Sequence, residues 1–217
     1  MPLEKRTWIV QKYIENPLLF DGRKFDIRVF TLITSINGFL KAYLYQDCYF
    51  RTSAKEFTLE DLKSVGVHLT NDAVQKNQED YGQHESENKL SISEFQTYLD
   101  RVYKEGGVDF RRDLWPQIER LVTESIQATA GKIDPNRIQN CFEILGYDFM
   151  VDENLRVYLI EVNTNPSLTY EQGSSVLTQL IPEMLDNTFR IALDPIYQPQ
   201  FLRTDKIGKT MLKKTQK

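Results

Sequence analysis

The stretch that decides the fold is YDFMVDENLRVYLIEVNTNPSL, residues Tyr147–Leu168. Two segments rich in apolar residues, Cys141–Val151 and Arg156–Asn163, flank the turn-forming residues Asp152–Leu155. Strand-forming segments separated by such a short polar connection are typical of a β-hairpin. This region therefore predicts two antiparallel strands.

The hairpin brings three oxygen-bearing side chains to one face. With a loop at Glu153-Asn154, Asp148 lies opposite Leu159, and Glu161 is one step further along the same face. Asn163 shares that face because strand side chains alternate with period two. The pattern predicts a polar patch inside an otherwise apolar hairpin.

Such a patch is typical of a magnesium site. Two neighbouring carboxylates repel each other, and their burial costs several kcal/mol unless something neutralises them. Mg²⁺ prefers oxygen ligands and takes its remaining ligands from water or phosphate. The alternative is an exposed polar face of an antiparallel sheet. Neither His68 nor His84 lies in a zinc-binding spacing, and no glycine-rich phosphate loop or nucleophile elbow is present.

The amino-terminal third predicts more antiparallel strands, at Thr7–Ile14, Lys24–Thr34, Phe39–Tyr45 and Tyr49–Arg51. Alternation in RKFDIR places Lys24, Asp26 and Arg28 on one strand face. This row of cation, anion and cation is suited to binding phosphates or carboxylates. The alternative is a surface ladder that neutralises itself.

Helical periodicity and capping signals complete an α+β fold with an antiparallel sheet flanked by helices. The helices are predicted at Thr58–Lys63, Ser91–Lys104, Leu114–Ala130 and Ser175–Leu193, and a polar surface loop at Gln75–Lys89. We expect one unit over residues 1–200. Residues 201–217 carry many lysines and predict a basic tail, either disordered or lying on an acidic partner.

Composition narrows the function classes. A net charge of −4, from 27 basic and 31 acidic residues, does not favour a nucleic-acid binder. No apolar run approaches the ~20 residues of a membrane span. Cys48 and Cys141 are the only cysteines, which fits a reducing compartment and predicts a cytoplasmic protein.

Five ordered motifs resemble the landmarks of the tubulin tyrosine ligase-like family. They are VQKYIENPLL, RKFDIR, YFRTS, HLTN-x₃-QK and GYDFMVDENLRVYLIEVNTNPSL, and the resemblance covers about residues 8–195. It implies an ATP-grasp fold and an ATP- and Mg²⁺-dependent ligase that adds tyrosine, glutamate or glycine to tubulin. In such ligases ATP phosphorylates a carboxylate and an amine attacks the acyl-phosphate. The implied partners are tubulin or the microtubule and a free amino acid, and the implied location is the cytoskeleton, including the cilium or axoneme.

The resemblance also implies residue roles. The metal ligands are Asp148, Glu161 and Asn163, the set that the hairpin predicts independently. The hinge that contacts adenine is Gln11, Lys12, Tyr13 and Ile14, and further nucleotide contacts come from Lys24 and Asp26. Arg28 and Arg51 are implied to hold the acceptor carboxylate or the incoming amino acid, and with Glu161 form the catalytic set. His68, Thr70 and Asn71 belong to the segment that closes over the reaction centre.

One departure from the family pattern leaves alternatives open. Family members carry, before the QKYIE motif, a half-grasp with a phosphate-contacting lysine and a glycine-rich loop, whereas only Met1–Trp8 precede that strand here. The amino-terminal half of the grasp is therefore expected to be absent. Alternatives to a catalytic segment are a non-catalytic microtubule- or axoneme-associated protein with the ligase fold, and an ATP-grasp enzyme for a small metabolite.

Overall fold

The computed structural model describes residues 9–104, 107–170 and 175–197. A 3₁₀ turn at Ser86–Asn88 and a π-helical turn at Phe110–Leu114 accompany the longer elements. The strands and helices, in chain order, are β1 (Leu19–Phe20), β2 (Arg23–Ile36), β3 (Phe39–Glu56), α1 (Val65–His68), α2 (Asp72–Gln75), β4 (Lys89–Ser91), α3 (Ile92–Val102), α4 (Trp115–Ile133), β5 (Cys141–Val151), β6 (Val157–Asn163) and α5 (Ser175–Ala192).

Strand β2 is the centre of a six-stranded antiparallel sheet. The order is β4-β3-β2-β5-β6, and β1 pairs with the start of β2. Strands β3 and β5 pair along its two edges, and every residue from Arg23 to Ser35 is buried. The predicted α+β class with an antiparallel sheet is confirmed.

One face of β2 packs into the larger hydrophobic core. Phe25, Ile27 and Val29 lie there with apolar side chains of α3 and α4, as the alternation predicts. The rings of Phe50 on β3 and Phe95 on α3 stack with centroids 4.1 Å apart. This burial holds the two helices against one side of the sheet.

The other face of β2 is divided. Phe30 packs against α5 in a smaller core. Nearer the start of the strand, Lys24, Asp26 and Arg28 are also buried, at 6%, 7% and 6% exposure. Burial of an unpaired charge destabilises the fold, so these three side chains need partners of opposite charge or hydrogen-bonding groups nearby.

Several predicted elements are confirmed. Helix α3 begins with the expected capping box, in which Glu94 N donates to Ser91 Oγ (3.3 Å) and Ser91 N donates to Glu94 Oε2 (2.7 Å). Helices α4 and α5 and the β5–β6 hairpin lie within a few residues of their predicted bounds. The two strands expected at Phe39–Tyr45 and Tyr49–Arg51 are one continuous strand, β3.

The strand predicted at Thr7–Ile14 is wrong where the structure describes it. Residues 9–14 form no strand, and Ile9 and Val10 are 89% and 98% exposed. A strand needs a partner for its N–H and C=O groups, and no described strand pairs with this segment. Thr7 and Trp8 lie outside the described residues.

The helix predicted at Thr58–Lys63 is also wrong. Glu60 N donates to Thr58 Oγ1 and Lys63 N donates to Asp61 Oδ1, both at 3.1 Å. Short polar side chains that take up backbone donors compete with helix formation. The short helices α1 and α2 follow instead.

The predicted surface loop Gln75–Lys89 is partly buried. Asn88 and Lys89 are 2% and 3% exposed, and Glu85 forms a two-pronged ion pair with the buried Arg23 on β2. These contacts hold the polar segment against the sheet. Some polar side chains of this segment therefore form buried ionic contacts with the sheet, and the others face solvent.

Both cysteine thiols are free, with Cys48 buried and Cys141 exposed. No helix in the described ranges combines the length and apolar character needed to traverse a bilayer. The basic tail predicted at 201–217 lies outside the described residues.

Candidate functional site

The register of the β5–β6 hairpin differs from the prediction. Asp148 lies opposite Glu161, and Phe149 lies opposite Leu159. The expected pairing of Asp148 with Leu159 was wrong because the turn is longer than two residues, and Asp152 N donates to Arg156 O across it. A bulge between the two pairs then advances β6 by one extra residue. The correction brings the two carboxylates directly across from each other.

Asp148 is the centre of a buried ionic network. Arg28 on β2 donates to both of its oxygens, with Nε–Oδ1 at 2.5 Å and NH2–Oδ2 at 2.9 Å. Arg51 on β3 donates to both oxygens of Asp26, at 2.7 and 2.6 Å, and its NH2 lies 2.8 Å from Asp148 Oδ2. All four side chains are at most 10% exposed. The network therefore joins three neighbouring strands through alternating charges.

The arginines determine the ionisation of Asp148. Burial alone would raise the pKa of Asp148, but the hydrogen bonds and charges of Arg28 and Arg51 outweigh it and lower the pKa below its ordinary value. Asp148 is thus held as a carboxylate. The guanidinium groups supply the neutralisation that the sequence argument assigned to a cation.

Glu161 and Asn163 lie at the open side of the network. The Asn163 amide nitrogen is 3.3 Å from Asp148 Oδ2 and 3.1 Å from Glu161 Oε1. Glu161 is exposed and forms no ion pair with a described residue. The structure therefore brings together the three predicted metal ligands.

The predicted ligands carry oxygen donors of the kind that Mg²⁺ prefers, and none is a histidine or cysteine of the kind typical of zinc sites. In the described ranges no group of three or more histidine, cysteine or acidic residues could hold a metal ion. In the structure Asn163 turns its amide nitrogen to both carboxylates, and Arg28 and Arg51 occupy the Asp148 oxygens. A bound Mg²⁺ would need the amide oxygen of Asn163 instead, and water or phosphate would complete its coordination. The ligand assignment itself stays a prediction.

Lys24, Tyr13 and His68 form a second, neighbouring chain of contacts. His68 Nε2 lies 2.9 Å from Asp61 O and donates to it, and His68 Nδ1 lies 2.8 Å from Tyr13 Oη. Lys24 Nζ donates to His68 O at 2.7 Å and to Tyr13 Oη at 3.3 Å. Burial lowers the pKa of Lys24, partly offset by the charge of Asp26. The predicted hinge and the predicted closing segment therefore meet at this lysine.

Thr70 joins the network and Asn71 does not. Thr70 Oγ1 donates to Asp26 Oδ2 at 2.5 Å, which places the closing segment against the ionic cluster. Asn71 is exposed and precedes α2, where its backbone oxygen accepts from Val74 N and Gln75 N. Of the three residues predicted in that segment, His68 and Thr70 thus contact the site.

The predicted adenine hinge lines a cavity. Gln11–Ile14 form one wall of a cavity of about 470 Å³, and the hairpin loop with Tyr158–Ile160 of β6 forms the other. The same strand continues to Glu161 and Asn163. Strand β6 therefore connects this cavity with the ionic cluster.

Gln75 was given no role from the sequence, although it belongs to the HLTN-x₃-QK motif. It is fully buried, accepts from Ala54 N on β3 at 2.8 Å, and donates to Gly66 O and Leu69 O. It therefore holds the closing segment to the sheet. A polar residue in a polar segment carries no signal of such burial, and only its position in the motif pointed to it.

Comparison with known proteins finds several relatives of this chain. Tubulin glycylase 3B of Tetrahymena thermophila is 32% identical over 191 residues, which cover 88% of this chain and 16% of that protein. The probable alpha-tubulin polyglutamylase Ttll1 of the same organism is 34% identical, over 87% of this chain and 44% of its own length. The probable tubulin polyglutamylase TTLL9 of Bos taurus is 38% identical, over 78% and 35%. The chain thus spans less than half the length of each of these relatives.

A family model described as the tubulin-tyrosine ligase family matches residues 2–205. The matched range contains every residue of the ionic network, the predicted hinge and the β5–β6 hairpin. This chain belongs to the tubulin-tyrosine ligase family.

Proposed function

We propose that this chain is a catalytic segment of an ATP- and Mg²⁺-dependent ligase that adds tyrosine, glutamate or glycine to tubulin. The observation that carries the proposal is the buried network of Arg28, Asp148, Arg51 and Asp26, with Glu161 at its open side. Family membership and the tubulin-modifying names of the relatives support the same reaction class. The proposed setting is the cytoskeleton.

The nucleotide would lie along β6. Its base fits the cavity between Gln11–Ile14 and Tyr158–Ile160, and its phosphates would reach Glu161 and Asn163 further along the strand. Lys24 projects from β2 beside Tyr13 and supplies a positive charge there. An elongated anionic ligand could therefore extend from the cavity, where Tyr13, Tyr158 and Ile160 face its base, to the charged cluster at Glu161.

Bound Mg-ATP supplies the phosphoryl group that activates a carboxylate as an acyl-phosphate. The chain's own residues would position the substrates and neutralise their negative charge. Arg28 and Arg51 are held in fixed orientations by two-pronged pairs, so little reorganisation is needed when negative charge develops nearby. Asp148, Glu161 and Asn163 would hold Mg²⁺, and Thr70 holds the closing segment at Asp26.

The first test is the melting temperature of the chain with and without Mg-ATP, compared with Glu161→Gln. A ligand at ~100 times its dissociation constant stabilises the folded state by about 2.7 kcal/mol, roughly 5–10 °C for a chain of this size. We expect a magnesium-dependent shift that is lost in Glu161→Gln. The matched control is Glu143→Gln, an exposed glutamate at the far end of β5, which should keep the shift.

Transfer of labelled tyrosine, glutamate or glycine to tubulin then identifies the amino acid. A shift that survives in Glu161→Gln would refute the metal-site assignment. Absence of a Mg-ATP shift, together with co-sedimentation on microtubules, would instead favour the non-catalytic alternative.

A further inference from the structure

A large cavity lies on another part of the sheet, between β3 and α5. Its volume is about 900 Å³. It opens where Val29 pairs with Cys48 and Thr31 pairs with Leu44, so that β3 advances four residues while β2 advances two. Residues 45–47 bulge out of the ladder at this point and leave the space beside α5.

We call this cavity the groove. It has an apolar floor and an acidic rim. Buried Phe30, Leu180 and Met184 form part of the floor. Exposed Asp47 and Glu183 lie on opposite walls, and neither forms an ion pair with a described side chain. Such a surface favours an occupant with cationic heads on apolar stems.

The pKa of Tyr45 is also affected by the acidic rim. Tyr45 lines the groove, and burial, followed by the charges of Glu183 and Asp47, raises its pKa to about 12. Asp109 adds a third carboxylate to the lining and Arg111 one positive charge. The net charge of the lining is therefore negative.

The outer edge of β3 gives the groove a backbone-binding wall. In the described ranges β4 pairs with β3 only at Tyr49–Arg51, so no strand covers the edge from Phe39 to Asp47. An open edge offers N–H and C=O groups to an extended peptide, and the cavities beside it accept alternate side chains. Lys41 and the bulge at 45–47 limit unspecific pairing of this edge.

We propose that the groove binds the basic segment 203–217 of this same chain. That segment holds Arg203 and five lysines against the single acid Asp205, and it interleaves them with apolar residues. Helix α5 leads to it directly, because Ile191, one residue before the end of α5, lines the groove. Residues 198–202 reach roughly 17 Å when extended, which gives the segment access to the rim.

The charge of the rim also disfavours acidic occupants. An acidic segment would meet three carboxylates, Asp47, Asp109 and Glu183, against one cation, Arg111, so the net charge of the lining would repel it. The proposal does not depend on ligase activity, so its test is independent of the nucleotide experiment.

Trypsin cleavage of the full chain tests the proposal, since trypsin cuts after lysine and arginine. Mass spectrometry would follow cleavage after Lys206 and Lys209 in the chain and in a synthetic peptide of residues 198–217. We expect cleavage roughly ten-fold slower in the chain, because proteolysis follows the released fraction of the segment. The protection should fall at about 0.5 M salt, which screens exposed charges.

Two substitutions on α5 make a matched pair. Glu183→Lys reverses a rim charge and should raise the cleavage rate to that of the peptide. Asp186→Lys reverses an exposed charge three residues away that does not line the groove, and should leave the protection intact. Melting curves of both variants establish that the chain stays folded.

Cleavage of the unmodified chain at the rate of the free peptide would overturn the proposal. Protection that disappears on hundred-fold dilution would also overturn it, because the segment of a second copy would then be the occupant.

Discussion

At the scale of single residues, the main feature is the buried carboxylate of Asp148, whose loss of water is offset by two arginine partners. Asp148 receives hydrogen bonds from Arg28, and its Oδ2 is also 2.8 Å from Arg51. A carboxylate so surrounded is compensated for its loss of water only while both arginines remain in place. Its substitution should therefore affect stability as well as any ligand binding.

We expect Asp148→Asn to lose about 3–5 kcal/mol of unfolding free energy at neutral pH, because two buried guanidinium groups lose their shared partner. The lowered pKa of Asp148 also predicts a pH dependence. Its carboxylate stabilises the folded chain above about pH 4, the range of an unfolded aspartate, and this contribution is lost as the pH falls through the lower folded-state pKa. Urea unfolding of both proteins at a series of pH values measures the difference.

The control for this series is Asp186→Asn, which removes an exposed carboxylate paired with Arg190 on α5. It should change stability by less than about 1 kcal/mol. If Asp148→Asn and the unmodified chain lost stability in parallel on acidification, the assignment of this pH dependence to Asp148 would be wrong.

At the scale of secondary-structure elements, close approach of β5 to the segment after β6 shapes the site. A Cβ at Gly146 would lie 2.8 Å from Pro166 Cβ and 3.3 Å from Arg28 NH1. Gly146 pairs with Asn163 across the hairpin. The absence of a side chain here lets the strand, the following loop and the arginine occupy adjoining positions.

We expect Gly146→Ala to destabilise the fold by roughly 1–3 kcal/mol, because the proline ring cannot yield and a packed site must shift. Gly131 is the matched control: it lies within α4 and a Cβ there meets nothing within 4 Å. Gly131→Ala should stabilise the fold by about 0.5–1 kcal/mol, through the lower entropy of the unfolded chain and better helix propensity. Thermal or urea unfolding of the two variants gives the comparison, and equal effects would contradict the packing argument.

At the scale of the whole molecule, ionic contacts join segments far apart in the chain. Arg23 at the start of β2 pairs with Glu85 in the polar segment, and also donates to Thr52 Oγ1 at 3.1 Å and Ser53 O at 3.2 Å on β3. The side chains of the pair are 3% and 11% exposed. The polar segment is thus part of the folded body that supports His68 and Thr70.

We expect Glu85→Gln and Arg23→Met each to destabilise the chain, by up to about 3–5 kcal/mol where a buried charge is left alone. The double variant should lose less than the sum of the two, because neither charge then remains unpaired. Urea unfolding of the unmodified chain, the two single variants and the double variant gives the free energies of this double-mutant cycle.

An exposed pair of similar sequence separation is the control. Asp21 and Arg101 are paired with side chains 51% and 61% exposed, and Asp21→Asn should cost less than about 1 kcal/mol. Additive losses in the Arg23–Glu85 cycle would show that the pair does not act as a unit.

The sequence by itself determined the local features of this protein. Alternation assigned Phe25 and Ile27 to one face of β2 and Asp26 to the other, and the capping box set the start of α3. The hairpin pattern predicted two antiparallel strands at β5 and β6, although not their register. Each of these follows from periods and contacts within a few residues, which a linear sequence records directly.

Only the tertiary structure decided which charges meet. Arg28 and Asp148 are 120 positions apart, and their contact depends on the pairing of β2 with β5. The bulge that sets Asp148 opposite Glu161, and the burial of Gln75, likewise depend on neighbours that no local pattern specifies. The physical reason is that the packing of the whole sheet sets pairing register and burial. Residues distant in the chain then replace water as the hydrogen-bond partners of buried charges.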